Sequence, residues 1–173
     1  MKRILVAGIG NIFMGDDAFG VEAVQHLAQR PQREGVRVVD FGIRSYDLAY
    51  ALTDSCDVAI LVDATRRGGA AGTVYLIEPD PPGDSPETGA TIPIVNGHSL
   101  DPVQVLRWAK SLGGSLPRLY VVGCEPGDLG SEDGAMGLSE PVKAALPGAI
   151  EMIESLVDKL FELENKSAGL APA

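Results

Sequence analysis

At 173 residues the chain has the size of one ordinary domain with a substantial core, and its 45% hydrophobic content excludes a disordered chain. Twenty-four acids against 14 bases give a net charge of −10, which excludes the basic face that a nucleic-acid binder needs. Apolar runs such as Val58 to Val62 are far too short to cross a bilayer, and the two basic residues at the N-terminus precede no signal-peptide apolar stretch, so a cytoplasmic protein is expected.

Residues 3–9 read as a buried strand that opens into the glycine turn GIGN and then, four residues on, two adjacent acids, Asp16 and Asp17. Val21, Val24 and Leu27 fall at helical spacing and predict a helix over 17–30, with Asp16 placed to cap it. VRVVDF at 36–41 is a second strand, and SYDLAYAL at 45–52 a short helix with Ser45 as its expected cap. DVAILVD at 57–63 is almost wholly apolar inside, as a central strand buried on both faces should be. RRGGAAG at 66–72 is a turn, and TVYLIE at 73–78 a fourth strand.

Residues 79–95 break the pattern: five of the 12 prolines and two glycines fall there, as expected of a functional or disordered loop, and the segment reads as a mobile flap. A helix follows at 101–112 with Pro102 in its first turn, then a fifth strand at 118–123 and a glycine-rich loop at 123–137. Residues 139–164 form one long helix or two, with Pro147 as the expected break. A single domain over 1–165 and a loose tail at 166–173 complete the expected organisation.

Strands alternate with helices, which predicts a three-layer α/β/α fold with a mostly parallel five-stranded sheet. In such sheets ligands sit beyond the carboxyl ends of the strands. Asp17, Asp63, Cys124 and Glu125 follow or end three of those strands, and His98 lies in a loop just before a helix, so the topology gathers them on one rim. If the strands holding Cys56 and Cys124 are parallel, the two sulfurs lie a strand length apart, about 17–20 Å, whereas a disulfide needs Cα atoms within about 7 Å. Two free thiols and a reducing compartment are therefore expected.

Gly8 and Gly10 match the start of a dinucleotide fingerprint, but Phe13 occupies the third glycine position and Asp16 and Asp17 would repel a phosphate, so no nucleotide is expected. Two carboxylates and an imidazole, Asp17, Asp63 and His98, can instead hold a borderline divalent metal and leave positions open. Singly, Asp63 also fits a solvated strand end and His98 a loop residue satisfying backbone groups. His26, inside the first helix, reads as a helix-face residue. The chain has no GxSxG elbow and no HExxH helix, and Cys124 as a nucleophile would need His98 as its base.

The string GIGNIFMGDDAFG, followed in order by DVAILVDA at 57–64, NGHSLDP at 96–102, GCEPGDLG at 123–130 and LSEPVKAALP, resembles the hydrogenase maturation endopeptidases. These proteases trim the C-terminus of the nickel-iron hydrogenase large subunit. The resemblance extends to about residue 160. It implies a twisted five-stranded sheet between helices, and a catalytic and metal-contacting set of Asp17, Asp63 and His98. It also implies a large-subunit precursor as partner, whose own cysteines hold the nickel that the protease recognises before cutting.

Two positions depart from the common family pattern. Asp17 stands where many members carry glutamate, a reach roughly 1.5 Å shorter. FGIRS at 41–45 replaces a glycine-glycine-threonine stretch, placing Arg44 in a loop expected to touch the client. A non-catalytic nickel or client chaperone, or a small-molecule hydrolase with its own divalent metal, would fit the same rim. The acidic surface offers no self-association patch, so a monomer is expected.

Overall fold

The computed structural model describes residues 2–54, 56–79, 102–113, 115–130 and 134–168. Residues 80–95 of the expected flap and His98 lie outside these residues. Five strands form one sheet: β1 (Ile4–Ile9), β2 (Val36–Gly42), β3 (Val58–Ala64), β4 (Val74–Ile77) and β5 (Arg118–Cys124). Their spatial order is β2-β1-β3-β5-β4; β2, β1, β3 and β5 run parallel and β4 pairs antiparallel to β5. The expectation of a mostly parallel five-stranded sheet holds.

Sequence explains the central position of β1 and β3. ILVAGI is buried at all six positions and VAILVDA at its first six, as strands covered on both faces must be. Ile4, Val6, Ile60 and Val62 point to one face, packing against Phe19, Val24 and Leu27 of helix α1 (Phe19–Ala28) and Ile153 and Leu160 of α4 (Glu140–Ala168). Leu5, Ala7, Ile9 and Leu61 point to the other, against Leu48 and Leu52 of α2 (Ser45–Thr53) and Leu106 of α3 (Pro102–Ser111). Tyr46 and Trp108 stack across α2 and α3, with ring centroids 5.4 Å apart.

Three local expectations change. Helix α4 runs unbroken through Pro147. Its buried face is Val142, Leu146, Ala149, Ile150 and Ile153, while Pro147 and Lys143 are exposed, so the carbonyl that loses its amide partner faces water. Ala168 is the last residue of this helix. Ser45 is the first residue of α2 rather than its cap; Arg44 precedes the helix, with no side-chain capping bond. Asp16 does not cap α1 either. It lies in a 3-10 turn, Gly15–Ala18, that leads into the helix, and its side chain turns elsewhere.

Cys56 precedes β3 and Cys124 ends β5. The two strands run in parallel register from Val58↔Arg118 to Ala64↔Cys124, so the thiols sit at opposite ends of the sheet and both are free.

Candidate functional site

The strand order reverses direction between β1 and β3: the chain passes from β1 to one side and later returns to β3 on the other. The crevice beyond the carboxyl ends at such a switch point is where open α/β sheets bind ligands. Asp17 follows β1, and Asp63 is the penultimate residue of β3, in register with Gly123 of β5.

Two glycines of the opening signature set Asp17 in place. Gly10 has φ +139, and a Cβ there would overlap the Asp17 carbonyl oxygen. A Cβ on Gly20 would run into the carbonyl oxygens of Val62 and Ile9. The turn and the first residues of α1 are thus pressed onto the ends of β1 and β3, closer than any side chain permits. Asn11 N–H then donates to Asp17 Oδ2 at 2.7 Å, and Asp17 N–H donates to the Met14 carbonyl at 3.1 Å.

Asp63 is 6% exposed and Asp17 7%. Burial pushes the Asp63 carboxyl well above its ordinary value, and the negative charge of Asp17 pushes it further; a hydrogen bond from the Ala64 backbone opposes them and loses. Two buried carboxylates near enough to repel each other have the donor chemistry of a divalent-cation site or of an acid–base pair. Among the described residues no third His, Cys, Asp or Glu completes a metal-binding group with them. Of the three expected site residues, the fold thus brings Asp17 and Asp63 together, and His98 lies outside the described residues. His26 is exposed on α1, away from this role.

Asp16 has a different function from its neighbour. It is fully buried, and its Oδ2 accepts the N–H groups of Gly127 and Asp128, each at 2.7 Å, and the Ser139 hydroxyl at 2.8 Å. Its Oδ1 accepts Ser139 N–H at 2.7 Å. Burial would raise its pKa, but the bonds from Asp128, Ser139 and Gly127 overcome this and hold the carboxyl below its usual value. Asp16 therefore ties the turn bearing Asp17 to the loop after β5 and to the start of α4. Sequence reading missed this brace, along with the Asn11 clamp. The signal was the adjacency of two acids in a turn, where successive side chains must point apart.

Glu125 is a second brace. It accepts Arg67 N–H at 2.8 Å, Gly68 N–H at 3.2 Å and the Tyr75 hydroxyl at 2.9 Å, fixing the turn after β3. Its pKa is raised by burial but lowered overall by these donors. Cys124 is completely buried, and burial first, then the charges of Asp16 and Glu125, push its thiol up to about 11. A thiol that stays protonated in a closed core is a packing residue, not a nucleophile.

Comparison with known proteins points in one direction. A sequence profile of the hydrogenase maturation proteases matches residues 21–156. The chain is 35% identical over 151 residues to the hydrogenase expression/formation protein HupD of Rhizobium leguminosarum bv. viciae, covering 86% of this chain and 71% of that protein. It is 30% identical to a putative hydrogenase maturation protease of Methanocaldococcus jannaschii, over 91% of this chain and 98% of the other. Its fold superposes on the hydrogenase maturating endopeptidase HybD of E. coli with a TM-score of 0.70 and 27% identity, covering 91% of this chain and 93% of that one. A [NiFe] hydrogenase maturation protease HycI from Thermococcus kodakarensis KOD1 gives 0.64 and 26%, with coverage of 91% and 93%. With its signature glycines packed against β1 and β3 and its two acids meeting at their ends, the chain belongs to the hydrogenase maturation protease family.

Proposed function

We propose that this protease removes the C-terminal extension of a nickel-iron hydrogenase large-subunit precursor once nickel has been inserted, and that the client's nickel is its recognition element. The observation that carries the reading is the buried Asp17–Asp63 pair at the β1/β3 switch point, an electron-rich site whose two carboxylates repel each other. The nickel arrives as part of the substrate, and Asp17, Asp63 and His98 complete its coordination. Carboxylate and imidazole donors suit that ion.

Hydrolysis then needs a base. A carboxylate oxygen of the pair takes a proton from the attacking water, the water oxygen bonds to the scissile carbonyl carbon, and the proton passes to the leaving amine as the C–N bond breaks. Cys124 has no part in this chemistry. We place the protein in the cytosol, a reading supported by its two free thiols, and take it as a monomer on account of its acidic surface. Among the described residues no helix is long and apolar enough to cross a membrane.

The test is to incubate the purified protein with nickel-loaded and nickel-free precursor and read the client's C-terminus by mass spectrometry. Cleavage of the loaded form alone is expected. Equal cleavage of both forms would remove nickel from recognition, and binding without cleavage would make the protein a client chaperone.

A further inference from the structure

Three loops at the carboxyl end of the sheet carry large apolar side chains into solvent on a chain with a net charge of −10. Phe13 is 58% exposed, Met136 75% and Ile43 67%. These loops are joined by backbone hydrogen bonds. Ala135 N–H donates to the Phe13 carbonyl at 2.8 Å, and Gly15 N–H donates to the Ala135 carbonyl at 2.7 Å, making a short parallel bridge between Met14 and Ala135. Gly10 N–H donates to the Gly42 carbonyl at 3.0 Å, which joins the loop before Ile43.

Met14 and Ala135, the bridged pair, are half-buried, while their chain neighbours Phe13 and Met136 are exposed, so the bridge holds two exposed apolar side chains on adjoining loops. Neither belongs to the two cores that cover the sheet. Exposed apolar surface gathered on hydrogen-bonded loops is the kind that marks a protein-binding site.

We infer that this wall, built on Phe13, Met136 and Ile43, seats the apolar polypeptide segment of the precursor that flanks the scissile bond. The inference rests on the processing reading above and names where the client lies. Continuity with the site identifies the occupant. The loop that presents Phe13 is the loop whose Asn11 N–H holds Asp17. A peptide bond brought to the Asp17–Asp63 pair must therefore continue past it. Arg44, next to Ile43, is already engaged with the carbonyls of Asp40 and Phe41 and lies 3.5 Å from Asp47, so the wall offers apolar contact rather than an unpaired cation.

The experiment compares wild type with Phe13→Ser, Met136→Ser and, as control, Leu112→Ser. Leu112 is also exposed but follows α3 at the opposite end of the sheet. All three substituted positions are solvent-facing, so thermal melting should be unchanged. With nickel-loaded precursor, KM should rise about tenfold in each wall variant while kcat stays within about twofold, the signature of lost uniform binding. Leu112→Ser should match wild type. Affinity for the uncleaved precursor is measured separately in an Asp63→Asn background by calorimetry, and should weaken by the same factor. Unchanged KM and affinity in both wall variants would overturn the inference, as would a fall in kcat at constant KM. A free protein that sediments as a dimer and becomes monomeric on Phe13→Ser would show that a second copy occupies the wall, and would overturn it too. If wild type binds the precursor without cutting it and Phe13→Ser loses that binding, the wall stands while the processing reading falls.

Discussion

Asp16 and Asp17 are adjacent and both buried, but their side chains meet different parts of the rim. Asp16 receives four hydrogen bonds and lies below its usual pKa; Asp63, which faces Asp17, has the Ala64 backbone in its favour and lies well above. Glu125 behaves like Asp16, held by a ring of donors on a turn. Burial alone therefore does not separate an acid that braces from an acid that works. The surroundings do: four donors hold Asp16 as a carboxylate that ties the rim loops together, while burial and the charge of Asp17 act against the ionised form of Asp63. The rim contains both kinds within a few residues of each other, and the brace on Asp16 sets the position of Asp17.

The largest effect should come from neutralising the pair. Asp17→Asn and Asp63→Asn should each lower processing of the nickel-loaded precursor by about a thousandfold, measured as initial rates of C-terminal trimming, without lowering the melting temperature. Gly20→Ala should cost about 4 kcal/mol of stability in a urea titration, because its methyl group meets two backbone carbonyls that cannot move aside. Stability within about 0.5 kcal/mol of wild type would show that α1 is not pressed onto the strand ends as described.

Asp16→Asn comes next. An amide nitrogen placed against buried N–H groups should cost about 3 kcal/mol at neutral pH. The pH dependence gives the sign. A carboxyl whose folded pKa is depressed contributes stability above its unfolded value and loses it as pH falls through the folded pKa. The gap between wild type and Asp16→Asn should thus be full at neutral pH and shrink in acid. A gap that is constant with pH would mean that Asp16 is not held as a carboxylate. The smallest effect is expected at the thiol: Cys124→Ala should keep processing within about twofold, since a protonated thiol has no nucleophilic role.

The fold was legible because β1 and β3 are apolar almost throughout and the helices repeat at their own period. Asp17 and Asp63 were legible because strand ends in a parallel sheet gather at one rim. The Pro147 break was misread because periodicity does not reveal that the proline falls on the wet face of α4. Capping by Asp16 was misread for a related reason. The donors that claim it, Gly127, Asp128 and Ser139, are more than a hundred residues away, and a local rule cannot see them.

The distinction between the two kinds of acid is tested most directly by the stability of Asp63→Asn as a function of pH. A raised folded pKa means that the folded state holds its proton more tightly than the unfolded chain, so the wild type loses stability as pH rises from the ordinary carboxylate range through the folded pKa. Removing the charge should therefore stabilise the protein, by nothing in acid and by an increasing amount toward neutral pH, while processing is lost. An Asp63→Asn variant that melts below wild type at neutral pH would contradict this, and would make Asp63 another brace.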